Sequence, residues 1–326
     1  QLGLVPGAER DGLCGVWYGK APGVDRTGDV FKHANAAGTS ALGGVVAVLG
    51  DDHMCKSSTL PSQSEFAMQD AEIPVLNPAS IQDVLDYGLQ AWAMSRFTGG
   101  WSAMIALADT MDSGAVVDVS LDRLQFVRPD FAFPEDGVHM RRSDPPLEKE
   151  RRLRDFKIPA AHAWVRANRL DRVILESSKP RVGIIVTGQA ARDVFEALAA
   201  LGLTPEDAAK LGLTIFKVAM PWPLEPNAIR DFCSGLERVL VIEHKRPLSE
   251  EQLRAVLYPL PEKQRPLLEG KRTAEGDPLL SQIGAITVPE MAAALHRVVP
   301  KGWDVATANA YFERVGRASM TARSNA

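Results

Sequence analysis

Asp51, Asp52, His53, Cys55, Lys56, Ser57, Ser58 and Thr59 crowd into one short stretch, GDDHMCKSST from Gly50 to Thr59. Acids, an imidazole, a thiol, an amine and hydroxyls are the groups that move protons, bind anions or hold a cation. The stretch follows the apolar run Gly44–Leu49, which reads as a buried strand. In open α/β sheets ligands sit outside the carboxyl ends of the strands, so position adds weight to composition. A second stretch, Gly19–Asp29 (GKAPGVDRTGD), reads as a polar, Gly-rich loop with the same relation to a strand ending near Trp17. If the two strands are neighbours, both loops line one cleft, with Lys20, Arg26 and Lys56 near Asp25, Asp52 and His53. Such a cleft suits a carboxylate-bearing ligand. His53 is the candidate proton carrier, because an unperturbed imidazole titrates near neutrality. Adjacent residues of an extended chain point to opposite sides, so Asp51, Asp52 and His53 do not converge on a metal and no metal ligand is expected. For each of these residues the competing reading is a solvated loop whose hydrogen bonds hold the fold.

Other chemistries are excluded by spacing. Gly12–Ala21 (GLCGVWYGKA) superficially resembles a phosphate-binding loop. That loop needs Gly five residues before its Gly-Lys and a hydroxyl after the Lys, where Cys14 and Ala21 stand here. Gly38–Leu42 (GTSAL) lacks the fifth residue of a serine-nucleophile elbow, and no HExxH occurs. Cys14, Cys55 and Cys233 are too few and too scattered for a disulfide framework or a metal knuckle.

The elements that must carry these residues read as α/β. Leu13–Trp17, Val45–Leu49 and Trp101–Leu107 are β-rich runs between loops and helical patterns, which argues for a mostly parallel sheet with flanking helices. Ser80–Phe97 reads as a helix capped by Ser80 with Asp83, its apolar stripe being Ile81, Val84, Leu85, Leu89 and Trp92. Residues 128–147 carry linker chemistry, and Glu148–Lys157 reads as a mixed-charge helix, a solvated face or a domain-crossing helix rather than a nucleic-acid site. A second α/β series follows: strands at Val182–Thr187, Thr214–Ala219 and Val239–Glu243, and helices at Arg192–Leu201 and Ala228–Gly235. Thr204-Pro205 opens one further helix, which Gly212 ends, and Thr287 with Glu290 makes a capping box for another running to His296. Met220–Pro226 (MPWPLEP) reads as a rigid connection, since its prolines suit one. His244 and Lys245, just past a strand, invite a site or a structural role equally.

The 326 residues give room for about two domains. A net charge of −4 leaves no electrostatic footprint for nucleic acid or an anionic membrane. No apolar run approaches the ~20 residues that span a bilayer, which points to a cytoplasmic protein. The start at Gln1 rather than Met suggests an internal fragment.

Longer motifs carry a resemblance. Gly19–Ser40 (GKAPGVDRTGDVFKHANAAGTS), GDDHMCKSST, Gln63-Ser64-Glu65 and Ile73–Ala79 (IPVLNPA) resemble the pyrimidine-binding domain of the thiamine-diphosphate-dependent indolepyruvate ferredoxin oxidoreductases. Gly183–Gly188, Met220–Pro226 and Val241–Arg246 resemble that family's next domain, similar to the C-terminal domain of transketolase. The resemblance implies an N-terminally truncated pyrimidine domain over 1–125, a linker and connecting helix over 126–177, the transketolase-like domain over 178–262, and an extension toward a missing domain over 263–326.

It further implies oxidative decarboxylation of an aryl 2-oxoacid such as indolepyruvate, with the acyl group passed to coenzyme A and electrons to ferredoxin. Thiamine diphosphate with magnesium would be held largely outside this chain, and iron–sulfur clusters wholly so. The activating acid of the family should lie before Gln1, the fragment alone should be inactive, and a homodimer is expected. On this reading Lys20 and Arg26 pair with the substrate carboxylate or a neighbouring acid, Asp52 and His53 present polar groups near the reacting carbonyl, Ser57, Ser58 and Thr59 hydrogen-bond the substrate or the aminopyrimidine side, and Asp25 and Gln63 complete the wall. Ser62 departs from the His expected before the Gln-Ser pair. Two rivals remain: a non-catalytic dimerisation module, and a transketolase-like carboligase that needs no clusters.

Overall fold

The computed structural model describes residues 7, 9, 12–141 and 143–324, the last helix without its final side chains. The chain packs as two compact units, Gln1–Asp171 with Ala219–Pro226, and Arg172–Val218 with Asn227–Ala326. Both are α/β with flanking helices and largely parallel sheets, as the alternating patterns indicated.

The first unit runs β1 (Cys14–Lys20), α1 (Ala21–Arg26), α2 (Gly28–Ala37), β2 (Gly44–Asp51), α3 (Glu65–Asp70), β3 (Val75–Leu76), α4 (Ile81–Thr98), β4 (Ser102–Leu107) and α5 (Ala108–Met111). After a long connection come α6 (Pro146–Arg152), a π-helical turn (Leu153–Lys157) and α7 (Ile158–Ala167). Its four strands are parallel in the order β1-β2-β4-β3. Because successive side chains of a strand alternate sides, Val46 and Met104 face α4 and α7, while Ala47, Leu49, Ala103 and Ile105 face α1, α2 and α3. Phe31 anchors the second face, edge-on to Trp17 at 4.8 Å and to Trp101 at 6.1 Å. Asn35 is fully buried and spends every polar atom: its amide donates to Ala71 O (3.1 Å) and Glu72 O (2.7 Å), and its carbonyl accepts from Trp101 N–H (3.0 Å). The segment Ala219–Pro226 lies along β3, where Trp222 O accepts from Val75 N–H at 2.7 Å and Ala219 O from Asn77 N–H at 2.8 Å.

One expectation in this unit is corrected and another is met on one side only. Gly19–Asp29 is not a loop: β1 runs through Lys20 and α1 follows at once. Pro22 falls in the first turn of α1, where its missing N–H costs nothing, and Val24 and Phe31 bury the inner face of the helix pair, so core packing overrides the glycines. The 148–157 stretch has the expected solvated face in Glu150, Arg151, Arg154 and Asp155, but its other side buries charge. Arg152 is buried, with Asp136 at 2.6 Å and Asp144 at 2.8 Å, and Lys157 is buried too.

The second unit contains β5 (Arg172–Leu175), β6 (Val182–Thr187), α8 (Ala190–Ala200), α9 (Pro205–Lys210), β7 (Leu213–Val218), α10 (Pro226–Cys233), β8 (Arg238–Ile242), α11 (Ser249–Leu257), β9 (Leu267–Glu269), α12 (Val288–Val298) and α13 (Ala306–Ser324). Strand order is β5-β7-β6-β8-β9, parallel except for β5 at one edge. β6 and β7 are buried along their whole length because helices cover both faces. The stretch from 263 onward, expected as an extension, contributes β9 and α12 to this unit. Thr287 and Glu290 form the full reciprocal capping box of α12.

Candidate functional site at the carboxyl edge of the first sheet

β1 and β2 are neighbours, paired in parallel with Lys20 opposite Gly50. The contact is close: a side chain at Gly50 would place its Cβ 3.2 Å from Gly19 O. Both strands therefore end together, and Lys20 Nζ donates to Ser57 O at 3.0 Å and lies 3.4 Å from Ser57 Oγ. Lys20 and the GDDHMCKSST loop thus share one edge.

Only the start of the loop is buried, and residues 54–61 form its outer, largely exposed surface. Asp51, Asp52 and His53 are only 1%, 3% and 6% exposed, which obliges each to find partners. Asp51 accepts from Ser64 N–H at 2.7 Å and from Ser64 Oγ at 2.6 Å. Asp52 accepts from Ser57 N–H at 2.6 Å and Met54 N–H at 3.2 Å. The Ser57 N–H, foremost among several backbone donors, holds the Asp52 carboxyl below its usual range against the opposing effect of burial. Ser62, the residue that departs from the family pattern, closes the loop: its Oγ accepts from Asp52 N–H at 2.9 Å and its N–H donates to Asp52 O at 3.3 Å. Ser62 O also lies 3.1 Å from His53 Nδ1, a bond that puts the proton on Nδ1 and makes Nε2 the basic nitrogen. Lys56 pairs with Asp109 of α5, whose carboxylate raises the lysine above its ordinary range.

Not every expected residue reaches this edge. Asp25 and Arg26 sit exposed at the end of α1, and among the described residues no hydrogen bond or ion pair joins either to the loop. Ser57 and Thr59 are exposed, and Ser58 and Gln63 half-buried, so the hydroxyls form its outer surface. The structure adds Ser64 and Glu65 to the edge. Glu65 is buried, with Asn77 Nδ2 donating to its Oε1 at 3.3 Å. Both belong to the Gln63-Ser64-Glu65 motif, so a signal was present, yet nothing local in it announces burial.

A second group of buried charges lies in the other unit. Glu243 follows β8 and accepts from Ser249 N–H at 2.8 Å and Glu250 N–H at 2.9 Å, capping α11. Lys271 donates to the carbonyls of Glu243 and Ser281 (3.1 Å for the latter). Burial pushes Lys271 down to about 8 and pushes Glu243 up. His244 Nδ1 accepts from Ile286 N–H at 2.9 Å, so that imidazole steers the approach to α12. Among the described residues no cluster of three His, Cys, Asp or Glu side chains could hold a metal ion, and no helix is long and apolar enough to cross a membrane.

Residues 172–321 match the family described as the indolepyruvate oxidoreductase domain. The indolepyruvate oxidoreductase subunit IorA of Methanothermobacter thermautotrophicus is 26% identical over 263 residues, covering 78% of this chain and 39% of that protein. IorA of Pyrococcus abyssi is 29% identical over 265 residues, covering 74% and 36%. The chain therefore spans under two fifths of these curated relatives. A solved 2-oxoglutarate:ferredoxin oxidoreductase from Magnetococcus marinus, with 2-oxoglutarate, coenzyme A and succinyl-CoA bound, aligns at 15% identity and a TM-score of 0.48 over 81% of this chain and 51% of that one, too loosely to argue from. The resemblance carried by the motifs holds across most of the chain.

Proposed function

We propose, from the kinship of this chain with the indolepyruvate ferredoxin oxidoreductases, that it is the part of such a subunit that walls one side of the 2-oxoacid site. In the whole enzyme an aryl 2-oxoacid would lose carbon dioxide, coenzyme A would accept the acyl group and ferredoxin the electrons. The observation that carries the reading is the shared carboxyl edge of β1 and β2, where Lys20 is tied to a buried acid–imidazole loop in a chain whose relatives are IorA subunits.

The edge fits one end of the cofactor and not the other. Thiamine diphosphate, when bound, supplies the electron sink for decarboxylation. Hydroxyls of Ser57, Ser58 and Thr59 with half-buried Gln63 suit a neutral heteroaromatic ring or an oxoacid. A magnesium diphosphate needs carboxylate or carbonyl ligands, and Asp51 and Asp52 are spent on Ser64, Met54 and Ser57, so that end is assigned outside this chain. Lys20 meets the substrate carboxylate as a point charge, with Ser57 O holding its ammonium in place. His53, oriented by Ser62, holds or releases a proton at Nε2 near the reacting carbonyl. Asp52 holds the loop that presents His53.

The test is the complete parent polypeptide, expressed anaerobically with indolepyruvate, coenzyme A, thiamine diphosphate and magnesium, and followed by viologen reduction. Lys20→Met should raise the apparent KM about tenfold, the scale of one charge-assisted hydrogen bond. Arg26→Ala reads whether the end of α1 reaches substrate. Unchanged kinetics in both variants would remove this edge from the site. No reduction of viologen by a parent that binds cofactor and clusters would favour a non-catalytic assembly module, a reading that the self-fastened acids of the loop also suit.

A further inference from the structure

The first unit also holds a cavity of about 650 Å³, within the size range of small-molecule pockets. It lies at the opposite end of the sheet from the loop just described. Ala41 and Leu42, which precede β2, line it, and β2 is 8 residues long, so the two places are roughly 25 Å apart along the strand. Its other walls come from the last turns of α4, from α7 and from the 126–139 connection.

Two features of the walls define a ligand class. The first is aromatic surface: the Phe97 ring centre stands 5.3 Å from Phe133 and 5.4 Å from Trp164, and Trp92 and Phe126 add further rings. The second is positive charge. Arg128 lies over the Phe97 ring at 5.8 Å, and Arg96 is held at the rim by its Nε bond to Gly43 O at 3.2 Å. His139, which also lines the cavity, fixes the Arg96 backbone through its Nε2 at 2.9 Å from Arg96 O. Nearby arginines of the same unit are paired with acids: Arg123 with Asp86, Arg141 with Asp144, Arg152 with Asp136. Among the described residues Arg96 and Arg128 have no carboxylate partner. Both arginines are exposed, and Arg96 Nη2 also reaches Cys14 Sγ at 3.7 Å, so the two guanidiniums are open to an anion that carries a flat ring into the aromatic cavity beside them.

We propose that this cavity binds a planar aromatic carboxylate. The ring lies against Phe97, Phe133 and Trp164, and the acid is taken by Arg128 and Arg96. The site is separate from the oxoacid edge, and its existence does not depend on the function proposed above.

Isothermal titration calorimetry of the 326-residue chain with indole-3-acetate tests it, beside indole-3-ethanol, which keeps the ring and lacks the acid, and hexanoate, which keeps the acid and lacks the ring. Saturable binding of indole-3-acetate is expected, with both controls weaker by about tenfold or more. Arg128→Gln should weaken the acid about tenfold and leave the alcohol unchanged, while Phe133→Ala should weaken both. Circular dichroism melts of the variants establish that they fold. Absence of saturable binding, equal binding of acid and alcohol, or an Arg128→Gln variant that binds like the parent would each overturn the proposal. So would sedimentation showing a dimer that Leu89→Asp dissolves, because a second copy would then be the occupant.

Discussion

At the carboxyl edge of the first sheet, Asp51 and Asp52 are satisfied by hydroxyls and backbone N–H groups of their own loop. At the second sheet, Glu243 and Glu250 share a buried space with the ammonium of Lys271. The first solution favours the ionised acid through short N–H donors, and Asp52 is held low. The second leaves burial dominant, and Glu243 is pushed up although it also accepts two N–H bonds. Depth decides between them. Asp52 sits in a loop whose outer residues meet water, while Glu243 lies behind β8 and α11. The two edges must therefore respond oppositely to pH. Asp52 contributes stability that is present above its unfolded pKa and lost as pH falls through its lower folded value. Glu243 contributes stability below its unfolded pKa that is lost as pH rises through its raised folded value.

Breaking the fastening of the first edge should have the largest effect. Asp51→Ala leaves the Ser64 N–H and hydroxyl buried without their acceptor, and should cost about 3 kcal/mol in urea unfolding. A loss below about 1 kcal/mol would mean that the loop is held by something other than its acids.

The buried lysines come next. Lys157 and Lys271 are each pushed by burial from the ordinary 10.5 to about 8. The unfolded chain then binds the extra proton, so stability should rise as pH climbs from about 8 to 10.5, by about 3 kcal/mol per lysine. The two differ in company. Lys157 has Arg152 as a repelling charge, only partly offset by Asp144, whereas Lys271 donates to two carbonyls and has the attracting Glu243 and Glu250 near. Lys157→Met should flatten its part of the alkaline rise and stabilise the protein at pH 7. Lys271→Met should flatten its own part and destabilise, because the Glu243 and Ser281 carbonyls lose their donor. Thermal melts from pH 7 to 10.5 distinguish these outcomes, and equal behaviour of the two variants would erase the contrast.

The smallest effects compare two helix starts. Ser80→Ala in α4 and Thr287→Ala in α12 should each cost about 1 kcal/mol. Since only α12 has the reciprocal Glu290 bond, Glu290→Ala should add a measurable loss there that no residue three positions after Ser80 reproduces in kind: Asp83 reaches back to Ala79 N–H instead.

Elements set by local chemistry were legible. Val182–Thr187 reads as a strand to the residue, and the starts of α4, α9 and α12 follow from Ser80, Thr204-Pro205 and Thr287. The pair α1 and α2 was not, because Pro22, Gly23 and Gly28 signal turns while the burial of Val24 and Phe31, decided by the sheet beneath, makes helix. At the candidate site the chemical residues were visible, and so was their strand-end position. Their burial was not, since Asp51 and Asp52 depend on Ser64 and Ser62, more than two turns of chain away. The aromatic cavity left no linear trace, being assembled from residues near 42, 96, 128 and 164.

By itself the sequence determined the α/β class, the strand cores, the helix caps and the resemblance carried by long motifs, because each depends on neighbours within a few residues. Only tertiary structure decided that Lys20 is joined to the loop while Arg26 is carried off on α1, that the acids of that loop are buried and spent, and that two arginines face an aromatic cavity without a counterion. Burial and pairing depend on which distant segments meet, and a buried charge takes its chemistry from those it meets.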